Sequence, residues 1–413
     1  MTDRFTQYSD ESIWSIEDDD FNYEHALDYL NDPSHFRTFS QGLTELIQRY
    51  GYNEALDDTQ KKTDFLFSRL SNIDISISKS TVKSWFADTR RPYFSSGSRN
   101  TMFYVCFALS CSLDNIEWFF HHVYFDRSFN CHSIKEAVYF YCFKNCLPYS
   151  HAKKLLHDID SLASSEPDDK VKNIFTKEIR ERISQISSDE ELMLFFKKNK
   201  NIFTQWNKSA QENIKELLKQ IRGKDEDRKT LRNFKNQRYV SKNEISECGL
   251  VIQEYLVSQK DGRRDDISGK NCSSIDFMLE RIIGWSHGLG KNIDLPMIVK
   301  HNFPSKKTFS DFLKSPESYT SYEAIRKSLI LLKFYQYHVV SLINELQPCE
   351  PQLDEPQPDE RFDIFLDEIN HLLFSCGYDM LYSGNPYDWL FLWAATTEYP
   401  LESFRNAMGA LEI

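Results

Sequence analysis

Apolar residues recur three and four positions apart along most of this chain, which is the spacing of an amphipathic α-helix. The pattern is densest between residues 38 and 122, where it predicts five short helices. Thr38 and Gln41 form a capping-box pattern before the first helix, and Gly51 is a typical stop after it. Five short helices in so few residues predict a compact, all-helical domain.

The third of these helices, within residues 78–92, has two faces of different character. Its apolar positions share one face: Val82, Trp85 and Phe86. Small polar or cationic residues occupy the opposite face: Ser80, Lys83, Ser84 and Ala87. The segment then leaves through an Arg-Arg-Pro sequence at residues 90–92. A short helix that is anchored by a tryptophan and shows such an outer face is suited to probing a groove of DNA.

Helical patterns continue through the rest of the chain. Residues 137–143 are aromatic on every side of a predicted helix, which indicates burial. Ser133 and Ser188 each begin a serine-x-x-glutamate capping pattern. The sequence therefore predicts an all-α, multidomain protein. Its predicted parts are an acidic lead-in (1–30), a five-helix domain (31–125), a helical domain (126–222), a basic linker or strip (223–272), a second helical domain (273–345), a proline-rich acidic linker (346–360) and an acidic helical C-terminal module (361–413).

Composition supports packed cores but makes the charge uneven. The 413 residues are 40% hydrophobic and 14% aromatic, with a formal net charge of -12. That balance argues against a protein that coats nucleic acid or anionic lipid as a whole. Residues 1–30 hold nine acidic residues and one basic one, and residues 345–413 hold fourteen and two, whereas residues 170–264 hold 22 basic and 14 acidic residues. The net charge of the whole chain therefore does not describe the charge of any one surface. The acidic charge of the C-terminal module is more typical of a surface that binds a protein than of one that binds a polyanion.

The region from residue 222 to residue 242 carries eight basic residues against three acidic ones. The basic residues are Arg222, Lys224, Arg228, Lys229, Arg232, Lys235, Arg238 and Lys242. Such a run fits a phosphate-binding strip, because neutralised phosphates release counterions. It also fits a solvated helix face or a linker, which is the commoner explanation.

Several features indicate a reduced, cytoplasmic protein with no membrane segment. The nine cysteines have no regular spacing, and the acidic N-terminus lacks the basic-then-apolar pattern of a secretory signal. The longest apolar region, residues 329–343, is interrupted by Lys333, Gln336 and His338. It is therefore too polar to span a bilayer.

Catalytic, cofactor and metal signatures fail on inspection. The glycine-containing stretch at 284–292 lacks a P-loop because Trp285 replaces the first glycine and Asn292 replaces the hydroxyl residue. Cys142 and Cys146 lie four apart on a predicted aromatic helix, where a thiol acts as a small hydrophobe. We predict no enzyme, no cofactor and no bound metal.

The segment 38–122 resembles the five-helix DNA-binding domain of the phage-repressor (Cro/CI, Xre-type) helix-turn-helix family. The residues SKSTVKSW at 78–85 and the exit at 90–92 are similar to the family's third helix, and ALSCSLDNI at 108–116 is similar to its fourth-to-fifth helix junction. The resemblance implies that the third helix lies in the major groove, that the second crosses the backbone, and that the protein forms homodimers. The chain departs from the family in a longer turn at 71–77, a long loop at 93–100, and Asp88 where glycine is frequent. Aspartate tolerates the left-handed backbone better than most residues do.

The resemblance and the residue types together predict a sequence-specific binder of double-stranded DNA, a transcriptional regulator of repressor type that reads the major groove with helix 80–87. Base edges or adjacent phosphates would be contacted by Lys79, Ser80, Lys83 and Ser84, and the DNA backbone by Arg90, Arg91 and Arg99. The alternative is a non-catalytic adaptor, associated with mobile elements or defence, whose helix-turn-helix-like domain binds a protein. Residues 304–343 loosely echo the same arrangement and are a candidate second, degenerate helix-turn-helix.

Overall fold

A computed structural model describes residues 23–32, 34–92, 96–161, 176–199, 203, 208–222, 322–346, 358–397 and 400–407. These parts of the chain are helical and contain no strand, which confirms the all-α prediction. The chain divides into two compact units. The first unit comprises residues 32–207 with 320–323, and the second comprises residues 1–31, 208–319 and 324–413.

The helices follow the apolar periodicity closely. In chain order they are α1 (Tyr23–Asn31), α2 (Phe39–Arg49), α3 (Thr59–Ser71), α4 (Lys79–Phe86), α5 (Ser96–Leu109), α6 (Leu113–Phe119), a π-helix (Phe120–Tyr124), α7 (Ile134–Lys144), α8 (Tyr149–Asp160), α9 (Thr176–Gln185), α10 (Asp189–Lys198), α11 (Lys208–Arg222), α12 (Tyr322–Leu346), α13 (Pro358–Ser375), α14 (Pro386–Thr396) and α15 (Pro400–Ala407). The five helices predicted between residues 38 and 122 correspond to α2–α6.

The capping patterns have three different outcomes. Thr38 and Gln41 make both hydrogen bonds of a capping box at the start of α2. Ser188 caps α10 by accepting from the Glu191 N–H. The Glu191 carboxylate accepts from the Ser187 N–H and not from the Ser188 N–H, so the capping box is not completed. Ser133 stands at the N-cap position of α7 and makes no capping bond through its side chain, so that part of the prediction is wrong.

One hydrophobic core joins helices on both sides of residue 125. Phe39, Trp85 and Phe103 belong to it together with Tyr139 of α7 and Ile183 of α9. Residues Ala137 to Phe143 of α7 are all buried, as their aromatic pattern predicted. The five-helix arrangement is therefore continuous with the helices that follow it in the first unit.

The fifth predicted helix changes its winding before it ends. The α-helical part stops at Phe119, the π-helix follows, and Phe125 closes it with a left-handed φ of 56°. In this region Val123 approaches α2 so closely that a Cβ atom on Gly42 would lie 2.4 Å from Val123 Cγ2. This close approach explains why α2 carries a glycine in its interior, where glycine has low helix propensity.

The second unit pairs a helix near the N-terminus with helices near the C-terminus. α1 lies within the predicted acidic lead-in and packs on α14 and α15, where Tyr29 stacks on Trp389 at 4.6 Å between ring centroids. A buried ion pair joins α12 to α14, because Arg326 binds both carboxylate oxygens of Asp388 at 2.8 and 2.7 Å. Asn213 of α11 donates to the Cys376 sulfur just beyond α13 at 3.4 Å.

Several sequence predictions fall outside the described residues. These are residues 1–22 of the lead-in, the basic strip at 223–272, residues 273–321 of the second helical domain, and most of the proline-rich linker. Among the described helices, none is both long enough and apolar enough to cross a membrane.

Candidate nucleic-acid interface

α4 is anchored to the first unit through one face. Ser78 caps it by accepting from the Thr81 N–H at 3.1 Å. Trp85 is buried and meets Phe39 edge to face, with 6.1 Å between ring centroids. Ser40 of α2 donates to the Phe86 carbonyl at 2.8 Å, which holds the C-terminal end of α4 against α2. The orientation of α4 is therefore set by buried contacts.

The opposite face of α4 is open to solvent. Lys79, Ser80 and Lys83 are exposed, whereas Ser84 is half-buried and its hydroxyl donates to the Thr81 carbonyl at 2.7 Å. Within the described part of the chain, the Lys83 ammonium group makes no ion pair or hydrogen bond. Arg90 follows the helix and is also exposed. A cationic and hydroxylic surface is thus presented on a fixed helix.

The long turn before α4 is packed and not loose. Asp74 takes a left-handed φ of 60°, and the Ile75 N–H donates to the Leu70 carbonyl at 3.2 Å, which closes the end of α3. Ile73, Ile75 and Ile77 alternate along the turn and pack against the core. The additional residues therefore tie the turn to the domain, and α4 keeps its contacts with α3.

Asp88, in the turn after α4, has the left-handed backbone that was expected of it. Its φ is 53°, in the left-handed region. The Thr89 and Arg90 N–H groups both donate to the Ser84 carbonyl, at 3.1 and 3.3 Å, and so satisfy a carbonyl at the helix end. The aspartate takes the conformation that glycine usually supplies at this position.

One carboxylate lies directly at the candidate interface, and no local sequence pattern indicates it. Asp64 of α3 forms an exposed ion pair with Lys79, and hydrogen bonds from Lys79 and then Gln60 lower the pKa of Asp64. Asp58 caps the N-terminus of α3 by accepting from the Gln60 and Lys61 N–H groups at 2.9 and 3.0 Å. The N-terminus of α3 is consequently satisfied by a carboxylate of its own chain.

The structure places Arg91 away from the α4 face. Its guanidinium group donates to the carbonyls of Val123 and Tyr124, at 3.2 and 2.9 Å, and lies over the Phe125 ring. Burial lowers the pKa of Arg91 to about 10, so the group remains a cation at neutral pH. This arginine holds the π-helix end in place, so its predicted role as a contact to the DNA backbone is wrong.

Arg99 is also taken up by the protein interior, which corrects its predicted role in DNA binding. Its guanidinium group contacts Asp126 at 2.7 Å and both carboxylate oxygens of Glu136 at 2.8 Å. It also donates to the Arg127 and Ser128 carbonyls at 2.9 and 3.1 Å. Glu136 in turn accepts from the Asn130 N–H at 2.7 Å, and so it ties the buried 125–132 segment to Arg99 instead of completing a capping box.

The surviving candidates are the exposed side chains Lys79, Ser80, Lys83 and Arg90, with Ser84 at the edge of the same face. Within the described residues, no three histidine, cysteine, aspartate or glutamate side chains are grouped as metal ligands would be. No protein-family model, curated protein or solved structure matches this chain.

Proposed function

We propose that the first unit binds double-stranded DNA through the outer face of α4 and acts as a non-catalytic transcriptional regulator of repressor type. The observation that carries the proposal is the exposure of Lys79, Ser80 and Lys83 on a helix whose opposite face is buried. An α-helix with its side chains is about 10–12 Å in diameter, and the major groove is about 12 Å wide. A rigid helix of this size enters such a groove without rearrangement of the protein.

The side chains divide between two tasks in this proposal. Lys83 and Ser80 lie toward the middle and start of the helix and would contact base edges, because lysine donates to guanine and serine can donate or accept. Lys79 and Arg90 flank the helix and would contact phosphates, which adds affinity without sequence preference. Two copies of the chain would present two such helices to a symmetric site, in keeping with the homodimer that the family resemblance implies.

The proposal is tested by selecting the full-length chain against a pool of random duplexes at low salt and sequencing the bound fraction. The full chain is used because α2–α6 share their core with later helices. We expect an enriched site, a loss of that preference in Lys83→Ala, and weaker binding to all sequences alike in Arg90→Ala. Lys153→Ala, which changes an exposed lysine of α8, is the matched control and should bind as the unchanged protein does. Binding without enrichment at low salt would contradict sequence-specific recognition.

A second candidate function is the protein adaptor, and one observation favours it. The exposed Asp64 carboxylate of α3 pairs with Lys79 at the candidate interface, and carboxylates repel phosphates. If the full chain fails to bind any duplex at low salt, the α4 face is better assigned to a protein partner.

A further inference from the structure

We propose that the outer face of α13 is a docking surface for a basic, amphipathic segment of a partner protein. The outer face of α13 is defined here as Glu360, Asp363, Ile364, Asp367, His371 and Phe374. The inference concerns the second unit and does not depend on DNA binding by the first.

These six residues lie on one side of the helix. They are spaced three, four and seven positions apart, which brings them together at 3.6 residues per turn. All six are exposed to solvent. Phe365, Ile369 and Leu373 point the other way and are fully buried. The inner face therefore holds α13 in the unit and the outer face is presented to solvent.

Two large apolar side chains on this face are exposed. Ile364 is 46% exposed and Phe374 is 50% exposed, so about half of each side chain's area is in water. Met380, just beyond the helix, is 54% exposed. Within the described residues only Leu56 and Leu194 are comparable, and each of these lies elsewhere. Single exposed apolar residues are ordinary, but Ile364 and Phe374 share one face of α13 and lie about 15 Å apart along its axis, so one helical partner can cover both.

The charges around these apolar side chains specify the partner. Glu360, Asp363 and Asp367 are exposed carboxylates on the same face, and α13 contains a single basic residue, the half-buried Arg361. Such a surface repels DNA, RNA and anionic lipid. A segment that combines lysines or arginines with apolar side chains at helical spacing complements both features, since the apolar groups cover Ile364 and Phe374 while the cations meet the carboxylates.

The test measures binding of the full-length chain to a fluorescein-labelled helical peptide of lysine, leucine and alanine in which all leucines share one face. The control peptide has the same composition, scrambled so that the leucines do not share a face. We expect the amphipathic peptide to bind more tightly than the control. We expect Ile364→Gln with Phe374→Gln, and separately Asp363→Asn with Asp367→Asn, each to weaken binding by about tenfold or more. Leu194→Gln, at a site 49% exposed on α10 of the other unit, is the matched variant and should leave binding unchanged.

All four substituted side chains on α13 are exposed, so these variants should fold, and circular dichroism checks that they do. Equal binding of the two peptides, or equal binding by the unchanged protein and both α13 variants, would overturn the proposal. A photo-crosslinking amino acid placed at position 364 identifies the occupant. Crosslinks to the added peptide support the proposal. Crosslinks within the chain to residues 222–242, or to a second copy of the chain, show a different occupant and overturn it.

Discussion

Removal of the Arg99 guanidinium group should destabilise the first unit strongly. Arg99→Leu keeps a side chain of similar bulk but leaves Asp126 and Glu136 without their cation. The Arg99 side chain is 12% exposed, and the side chains of the two acids are 3% and 10% exposed. Loss of one member of a buried ion pair costs about 3–5 kcal/mol, because the remaining charge stays desolvated and unpaired. The Arg127 and Ser128 carbonyls lose donors as well.

The measurement is the free energy of unfolding in urea, followed on the full chain by circular dichroism, together with hydrogen exchange on residues 125–136. We expect the 125–136 amides to lose protection more than those of α8. Arg182→Leu is the control, because Arg182 pairs with Glu178 at 3.9 Å with both side chains about half-exposed. That pair should contribute about 0.5 kcal/mol or less. A similarly small loss for Arg99→Leu would refute the structural role assigned to Arg99.

Three further predictions concern acid, packing and affinity. Burial lowers the pKa of His338 from 6.5 to about 3, so its stabilising contribution is complete above pH 6.5 and is lost as the pH falls toward 3. At pH 4.5 the free energy of unfolding is lower by about 2–3 kcal/mol than above pH 6.5 because of this group. His338→Phe should remove that acid sensitivity from thermal melts. Gly42→Ala should cost about 1–3 kcal/mol in urea unfolding because its Cβ would overlap Val123, and adding Val123→Ala should recover part of the loss. Asp64→Asn should strengthen DNA binding several-fold at low salt by releasing Lys79 from its ion pair, as measured by fluorescence anisotropy.

An unchanged pH dependence in His338→Phe would show that other groups carry the acid sensitivity. Additive losses in the Gly42→Ala, Val123→Ala double variant would show that the two side chains do not meet. Equal or weaker DNA affinity in Asp64→Asn would contradict a phosphate contact by Lys79, provided that Asp158→Asn on α8 leaves affinity unchanged.

The spacing of apolar residues correctly predicted which side chains of α4 are buried and which are exposed. Val82, Trp85 and Phe86 are buried and Lys83 is exposed, as their spacing predicted. The prediction succeeded because the faces of a helix are decided by neighbours three and four residues away. Asp64 could not be found in the same way, because no local pattern connects it with Lys79 across the turn between α3 and α4.

Local patterns were enough to predict the all-helical class, the five helices between residues 38 and 122, the Thr38 cap, the left-handed Asp88, and the apolar and polar faces of α4. The partners of Arg91 and Arg99, by contrast, are set by contacts distant in sequence. Arg91 is bound to a carbonyl 33 residues away and Arg99 to a carboxylate 37 residues away. A guanidinium group binds a phosphate, a carboxylate or a carbonyl with similar geometry. Which of these it meets depends on what the fold brings near it, and residue type and local spacing carry no record of that choice.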